Sequence, residues 1–155
     1  MKSTHFKITI IFLLLAISSS AQEVNSNPSP FAVSKHPFSY GGRQLIVGQA
    51  IGELEKEYRL LDDGGIYRRM NTSKEFDILG EQTKKNIETA FKSLKDVDFE
   101  KINFQHPSKT SYFVIFKQGK KEHKVVWGDP KYPAPESVKK VYGAFMGMIP
   151  KTMRL

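Results

Sequence analysis

The histidines at 36, 106 and 123, the acidic pairs Asp62-Asp63 and Asp96/Asp98, and scattered serines are the groups in this chain able to move protons or attack a bond. No two of these histidines stand at the spacing that puts two ring nitrogens on one metal ion, and the chain has no cysteine. The serines lack a G-x-S-x-G elbow, so no nucleophile is set on a strained strand-to-helix turn. His36 and His106 each precede a proline, which predicts turn residues with solvated rings, and His123 is expected to be a packed structural histidine. Both acidic pairs fall at expected turns, where Asp bonds the local backbone. Gly41-Gly42 and Gly64-Gly65 lack the strand-to-helix setting of a phosphate loop. The expectation is a protein that is not an enzyme, with no catalytic residue, cofactor or metal.

What remains for function is recognition. Trp127-Gly128-Asp129 joins the chain's single tryptophan to a glycine and an acid at an expected strand end, and Tyr67-Arg68-Arg69 sets an aromatic beside two cations. Trp127 and Asp129 read first as a core cap and a turn; read functionally, they are an anchor for a partner. Tyr67 and Arg68 offer the stacking and charge used by single-stranded nucleic acid sites, but the same pair is ordinary on a half-exposed strand, and nucleic acid is not the expected partner. Trp127, Asp129, Tyr67 and Arg68 are the candidate partner-binding residues.

Residues 1–21 carry the address. Lys2 and Lys7 precede the apolar run Ile8 to Ile17, and Ser19-Ser20-Ala21 supplies small residues for cleavage, which predicts a signal peptide and a mature chain from Gln22. The apolar run is about half of the roughly 20 residues that a membrane span needs, so no stable span is expected after cleavage. Loss of these residues removes two lysines and no acids, lowering the formal charge from +8 to +6. The expected location is periplasmic or secreted, and without cysteine the domain must be held by packing alone.

These groups are to be positioned by one domain over residues 38–155, after a flexible leader over 22–37 rich in Pro, Ser and Asn. Phe38 to Gly42 reads as a short strand entering a turn. Residues 49–61 fit both helical spacing and alternation; the turn signal Asp62-Asp63-Gly64-Gly65 and the β-forming run Ile66 to Met70 favour a hairpin. Ile87, Ala90, Phe91 and Leu94 line one face of an amphipathic helix capped by Thr83. Ser111 to Phe116 is a strand flanked by Lys109 and Lys117, and it pairs with Glu122 to Trp127. A three-residue connection with Gly119 in the left-handed conformation is expected, because a two-residue one would set Phe113 opposite Lys124. Pro135 opens a last helix whose stripe runs through Val138, Val141, Tyr142, Phe145, Met148 and Ile149; Pro150 stops it, leaving a frayed tail. The fold class expected is α+β: a small antiparallel sheet built from hairpins, with two helices packed on one face.

From Tyr58 to Ile149 the chain resembles a group of small exported bacterial domains of uncharacterised function. The resemblance is carried by Tyr58-Arg59-Leu60-Leu61-Asp62-Asp63-Gly64-Gly65, by Tyr112-Phe113-Val114-Ile115-Phe116-Lys117-Gln118-Gly119 and by His123-Lys124-Val125-Val126-Trp127-Gly128-Asp129. It implies no activity. The succession of turn, helix, hairpin and helix is also similar to that of emfourin-type inhibitors of thermolysin-like metalloproteases, with no inhibitory residue matched. The function expected is an exported, non-enzymatic domain that binds another protein or an envelope component, with a secreted or periplasmic protease inhibitor as the alternative.

Overall fold

Turn-forming residues divide the chain into strands that end where glycine, proline or aspartate intervenes. The computed structural model describes residues 32–71 and 73–154. In it, β1 (Val33–Ser34) and the short α1 (His36–Ser39) lead to a long hairpin of β2 (Arg43–Ile51) and β3 (Leu54–Leu61), followed by β4 (Gly65–Met70) and β5 (Phe76–Glu81). Helix α2 (Lys84–Asp96) and a 3-10 turn (Phe99–Lys101) precede β6 (Gln105–His106), β7 (Thr110–Gln118) and β8 (Lys121–Trp127), and α3 (Glu136–Met148) follows.

All eight strands join one sheet in the order β1-β5-β4-β3-β2-β7-β8-β6. Six of its pairings are antiparallel; β6 runs parallel to β8. The expectation of a small antiparallel sheet with two helices is therefore overturned: the sheet is large and mixed, and it dominates over three short helices. The extra strands were hidden for physical reasons. In β2 the consecutive residues Leu45, Ile46 and Val47 are all buried, so both sheet faces are covered and no alternation betrays the strand. In β5, Asp77 and Gly80 dilute the β-forming signal, and β1 and β6 are two residues long.

Residues 49–61 contain no helix; they are divided between β2 and β3 about a turn at Gly52-Glu53. Phe38 lies in α1 rather than in a strand, and Val33 and Ser34 pair with Asp77 and Phe76, so the folded unit reaches into the segment expected to be a leader. The signal peptide expected at 1–21 and the leader expected from 22 lie, up to residue 31, outside the described residues, as does Leu155.

The two faces differ in character. Leu45, Val47, Tyr58, Leu60, Val114 and Val125 project toward the helices, where Phe91 and Leu94 of α2 and Val138, Val141 and Phe145 of α3 complete one core. The opposite face holds two smaller clusters, Ile46/Phe113/Ile115 and Leu61/Tyr67/Phe76. Gly48 makes room for the first of these: a Cβ there would meet the Phe113 ring at 2.3 Å and the Lys56 carbonyl at 2.5 Å.

The β7–β8 register also departs from expectation. Gln118 pairs with Lys121, so two residues, Gly119-Lys120, close the hairpin, and Phe113 faces Val126. Phe113 and Ile115 thus lie on the face away from the helices, whereas His123, Val125 and Trp127 lie toward them. The charge feared there is not buried bare: Lys124 is exposed, and its Nζ lies 4.8 Å from the centre of the Phe113 ring. The tail is tied rather than frayed, since Tyr58 donates its hydroxyl to the Met153 carbonyl at 2.5 Å and Arg154 Nε donates to the Ile149 carbonyl at 2.7 Å.

Candidate ligand-binding cleft

One end of the sheet, where β2 begins and β7 ends, opens into a cleft of about 580 Å³ beneath the last turn of α2. The helix supplies Phe91, Leu94 and Lys95 at three- and four-residue steps, which is why two apolar side chains and a cation share this side. Asp98 then adopts a left-handed conformation with φ 49°, and the chain reverses into the 3-10 turn that inserts Phe99. Phe91 and Phe116 meet edge to face at 6.5 Å, and Phe99 meets His123 in the same way at 5.3 Å. The floor is therefore aromatic and rigidly packed.

The rim is charged. Arg43 lies over Phe91, its guanidinium carbon 4.7 Å from the ring centre, and Nε donates to Asp62 Oδ2 at 2.9 Å. Asp62 also accepts from the Tyr40 hydroxyl at 2.5 Å, so it is itself anchored where it holds Arg43 at the cleft. Lys101 is paired with Asp98 at 3.1 Å; among the described residues Lys95 makes no ion pair. Burial works against ionisation of Asp62, but hydrogen bonds from Tyr40 and Arg43 outweigh it and hold the carboxyl below its usual range. Burial, reinforced by the Asp62 carboxylate, pushes the Tyr40 phenol up to about 12.

That coupling has a sign. A phenol whose folded pKa is raised stabilises the fold fully below its ordinary value of 10, and the contribution is lost as pH rises toward 12. In an alkaline titration read by tyrosinate absorbance, Tyr40→Phe is expected to remove signal from the phase near pH 12; an unchanged late phase would show that Asp62 does not hold this phenol.

The residues singled out in the sequence do not converge on the cleft. Trp127 is half-buried on the helix side, stacked on Tyr112 at 5.7 Å and edge-on to Tyr142 at 5.4 Å, so it packs the sheet against α3. Asp129 builds the following turn by accepting from the Lys131 amide at 2.9 Å. The close approach there requires Gly128, where a Cβ would lie 2.3 Å from the Thr110 carbonyl. Tyr67 is buried on the opposite face, and Arg68 grips Asp77 through Nε and Nη2 at 2.9 and 2.7 Å. Three strands separate β4 from β8 in the sheet, so these four residues form no common site.

The histidines and acids are likewise engaged. His36 Nε2 lies 3.1 Å from Asp63 Oδ2, while Asp63 Oδ1 accepts from the Gly65 amide at 2.9 Å. His106 stacks on Tyr132 at 4.1 Å rather than standing free in solvent, and His123 Nε2 bonds the Ile102 carbonyl at 3.0 Å. Asp96 pairs with Lys92 at 2.6 Å. Among the described residues no cluster of three His, Asp or Glu could hold a metal ion, and no helix is long and apolar enough to cross a membrane. Sequence reasoning missed Arg43, Lys95 and Phe99 as site residues. The signal available was the pairing of an i, i+4 aromatic-cation step at Phe91 and Lys95 with a second aromatic just past the helix end. No protein-family model matches the chain, and no curated protein matches it.

Proposed function

We propose that this chain is an exported, non-enzymatic binding domain that seats an apolar group bearing negative charge in the cleft below α2, the group being offered by another protein or an envelope component. The observation that carries this reading is the cleft itself: an aromatic floor of Phe91, Phe99 and Phe116 beside two cations, Arg43, which is held by Asp62, and Lys95, which makes no ion pair among the described residues. A volume of this size lies within the range of ordinary ligand sites, and apolar lining with a few placed polar groups is their usual composition. The groups most able to do chemistry, by contrast, are committed to turns and caps: Asp63 to the Gly65 amide, Asp62 to Arg43 and Tyr40.

The anionic aromatic dye 8-anilinonaphthalene-1-sulfonate has the required chemistry and reports on its own burial by fluorescence. The native protein is expected to bind it saturably, and Lys95→Glu, an exposed change that leaves the fold intact, is expected to weaken binding about tenfold. Equal affinity in the two proteins would remove the cleft from the account. Turnover of substrates across a broad hydrolase panel, abolished by Asp62→Ala or His123→Ala, would overturn the non-enzymatic reading.

A further inference from the structure

The face of the sheet turned away from the helices contains charges that do not balance. Arg59 on β3 donates Nε to Glu57 Oε1 at 2.8 Å and Nη1 to Gln44 Oε1 at 3.0 Å; Arg69 on β4 donates Nη2 to Glu57 Oε2 at 3.0 Å. Side-chain exposure is 9% for Arg59, 18% for Arg69 and 4% for Glu57, so two guanidinium groups share one carboxylate in a largely dry layer. Neither arginine can shed its proton, which leaves one net positive charge. Among the described residues the bond to Glu57 is the only side-chain hydrogen bond Arg69 makes, and its buried Nε–H has no acceptor there. Phe76 lies under both cations, 4.8 Å from Arg59 and 5.4 Å from Arg69, and Phe38 flanks Arg69 at 5.6 Å. Stacking on ring faces eases desolvation but does not satisfy the in-plane Nε–H of Arg69.

We propose that this layer is an anion-binding site, separate from the cleft, that takes a carboxylate carried on an apolar body and completes the coordination of Arg69. A single negative charge matches the single uncompensated positive one, and the planar guanidinium suits the two oxygens of a carboxylate. The apolar body follows from the rim. Phe38 is 46% exposed beside Arg69, and Ile78, 37% exposed, stands opposite Tyr67 and therefore on the same face. A sulfate or phosphate dianion would overcompensate the charge and gain nothing from these two side chains.

The test uses the purified protein with 4-methylpentanoate, its neutral amide and inorganic sulfate as probes, read by titration calorimetry and by the midpoint of thermal unfolding. The carboxylate is expected to bind saturably at millimolar concentration and to raise the midpoint, with the amide and sulfate at least tenfold weaker. Arg69→Met leaves a one-to-one pair of Arg59 and Glu57; it is expected to fold and to lose carboxylate binding at least tenfold, whereas Lys95→Glu in the cleft leaves that binding unchanged. Arg69→Lys, which keeps charge but not the planar fork, is expected to restore only part of the affinity. Equal binding of acid and amide, preference for sulfate, or full affinity in Arg69→Met would each overturn the site. Loss of carboxylate binding in Lys95→Glu with retention in Arg69→Met would place the ligand in the cleft instead. If Arg69→Met fails to fold, amide chemical-shift mapping of 4-methylpentanoate on the unmodified protein decides the matter: shifts centred on Arg69 support the site, and shifts confined to Phe91, Leu94 and Lys95 overturn it.

Discussion

Glu57→Gln is expected to lower the free energy of unfolding by about 3–5 kcal/mol, because it leaves two buried guanidinium groups without their shared counter-charge. The geometry makes the effect asymmetric. Glu57 is the acceptor common to Arg59 Nε and Arg69 Nη2, and all three side chains are largely removed from water. Taking away one arginine still leaves a one-to-one pair, so Arg69→Met should be near neutral; taking away the carboxylate strands two charges. Urea denaturation of the three proteins measures the contrast. A loss below about 1 kcal/mol in Glu57→Gln would mean that the layer is wet and behaves as an ordinary surface network.

Phe145→Ala is expected to cost about 3–5 kcal/mol, the range for truncating a fully buried aromatic. Phe145 is 1% exposed and belongs to the core between α3 and the sheet. A half-open pocket of about 180 Å³ between α2 and α3 already reaches it, lined also by Leu45, Ser93, Val141 and Met148. Removing the ring deepens that pocket at a place where β2 is fixed by β3 and β7, so the sheet cannot move in to fill the space. The unfolding midpoint in urea, with an unchanged dependence on denaturant, checks this. A loss near 1 kcal/mol would show that α3 rests loosely on the sheet.

These two residues also show what could be read in the sequence. Phe145 was legible, because Val138, Val141, Tyr142 and Phe145 recur at helical steps with one face wet, and α3 lies where that stripe requires. Helix α2 and the hairpin at Asp62-Asp63-Gly64-Gly65 were legible for the same kind of reason, a period or a turn written in adjacent residues. Glu57 was not. A buried Glu reads as a surface residue until the partner strands are known, and Arg69 reaches it only because β3 and β4 pair with Glu57 opposite Arg69. The β7–β8 register was lost because both faces of the central strands are covered, so alternation could not choose between them. The cleft depends on still longer range: Arg43 meets Phe91 through a contact between β2 and α2 that no local pattern announces.

The central claim is that recognition occurs below the last turn of α2, and the most direct measurement is amide chemical-shift mapping as 8-anilinonaphthalene-1-sulfonate is added to the native protein. The largest perturbations are predicted at Phe91, Leu94, Lys95, Phe99 and Gln118, which line the cleft, with Arg43 following as its guanidinium is engaged. Shifts confined to the opposite face around Arg69, or spread without a focus at millimolar dye, would contradict it.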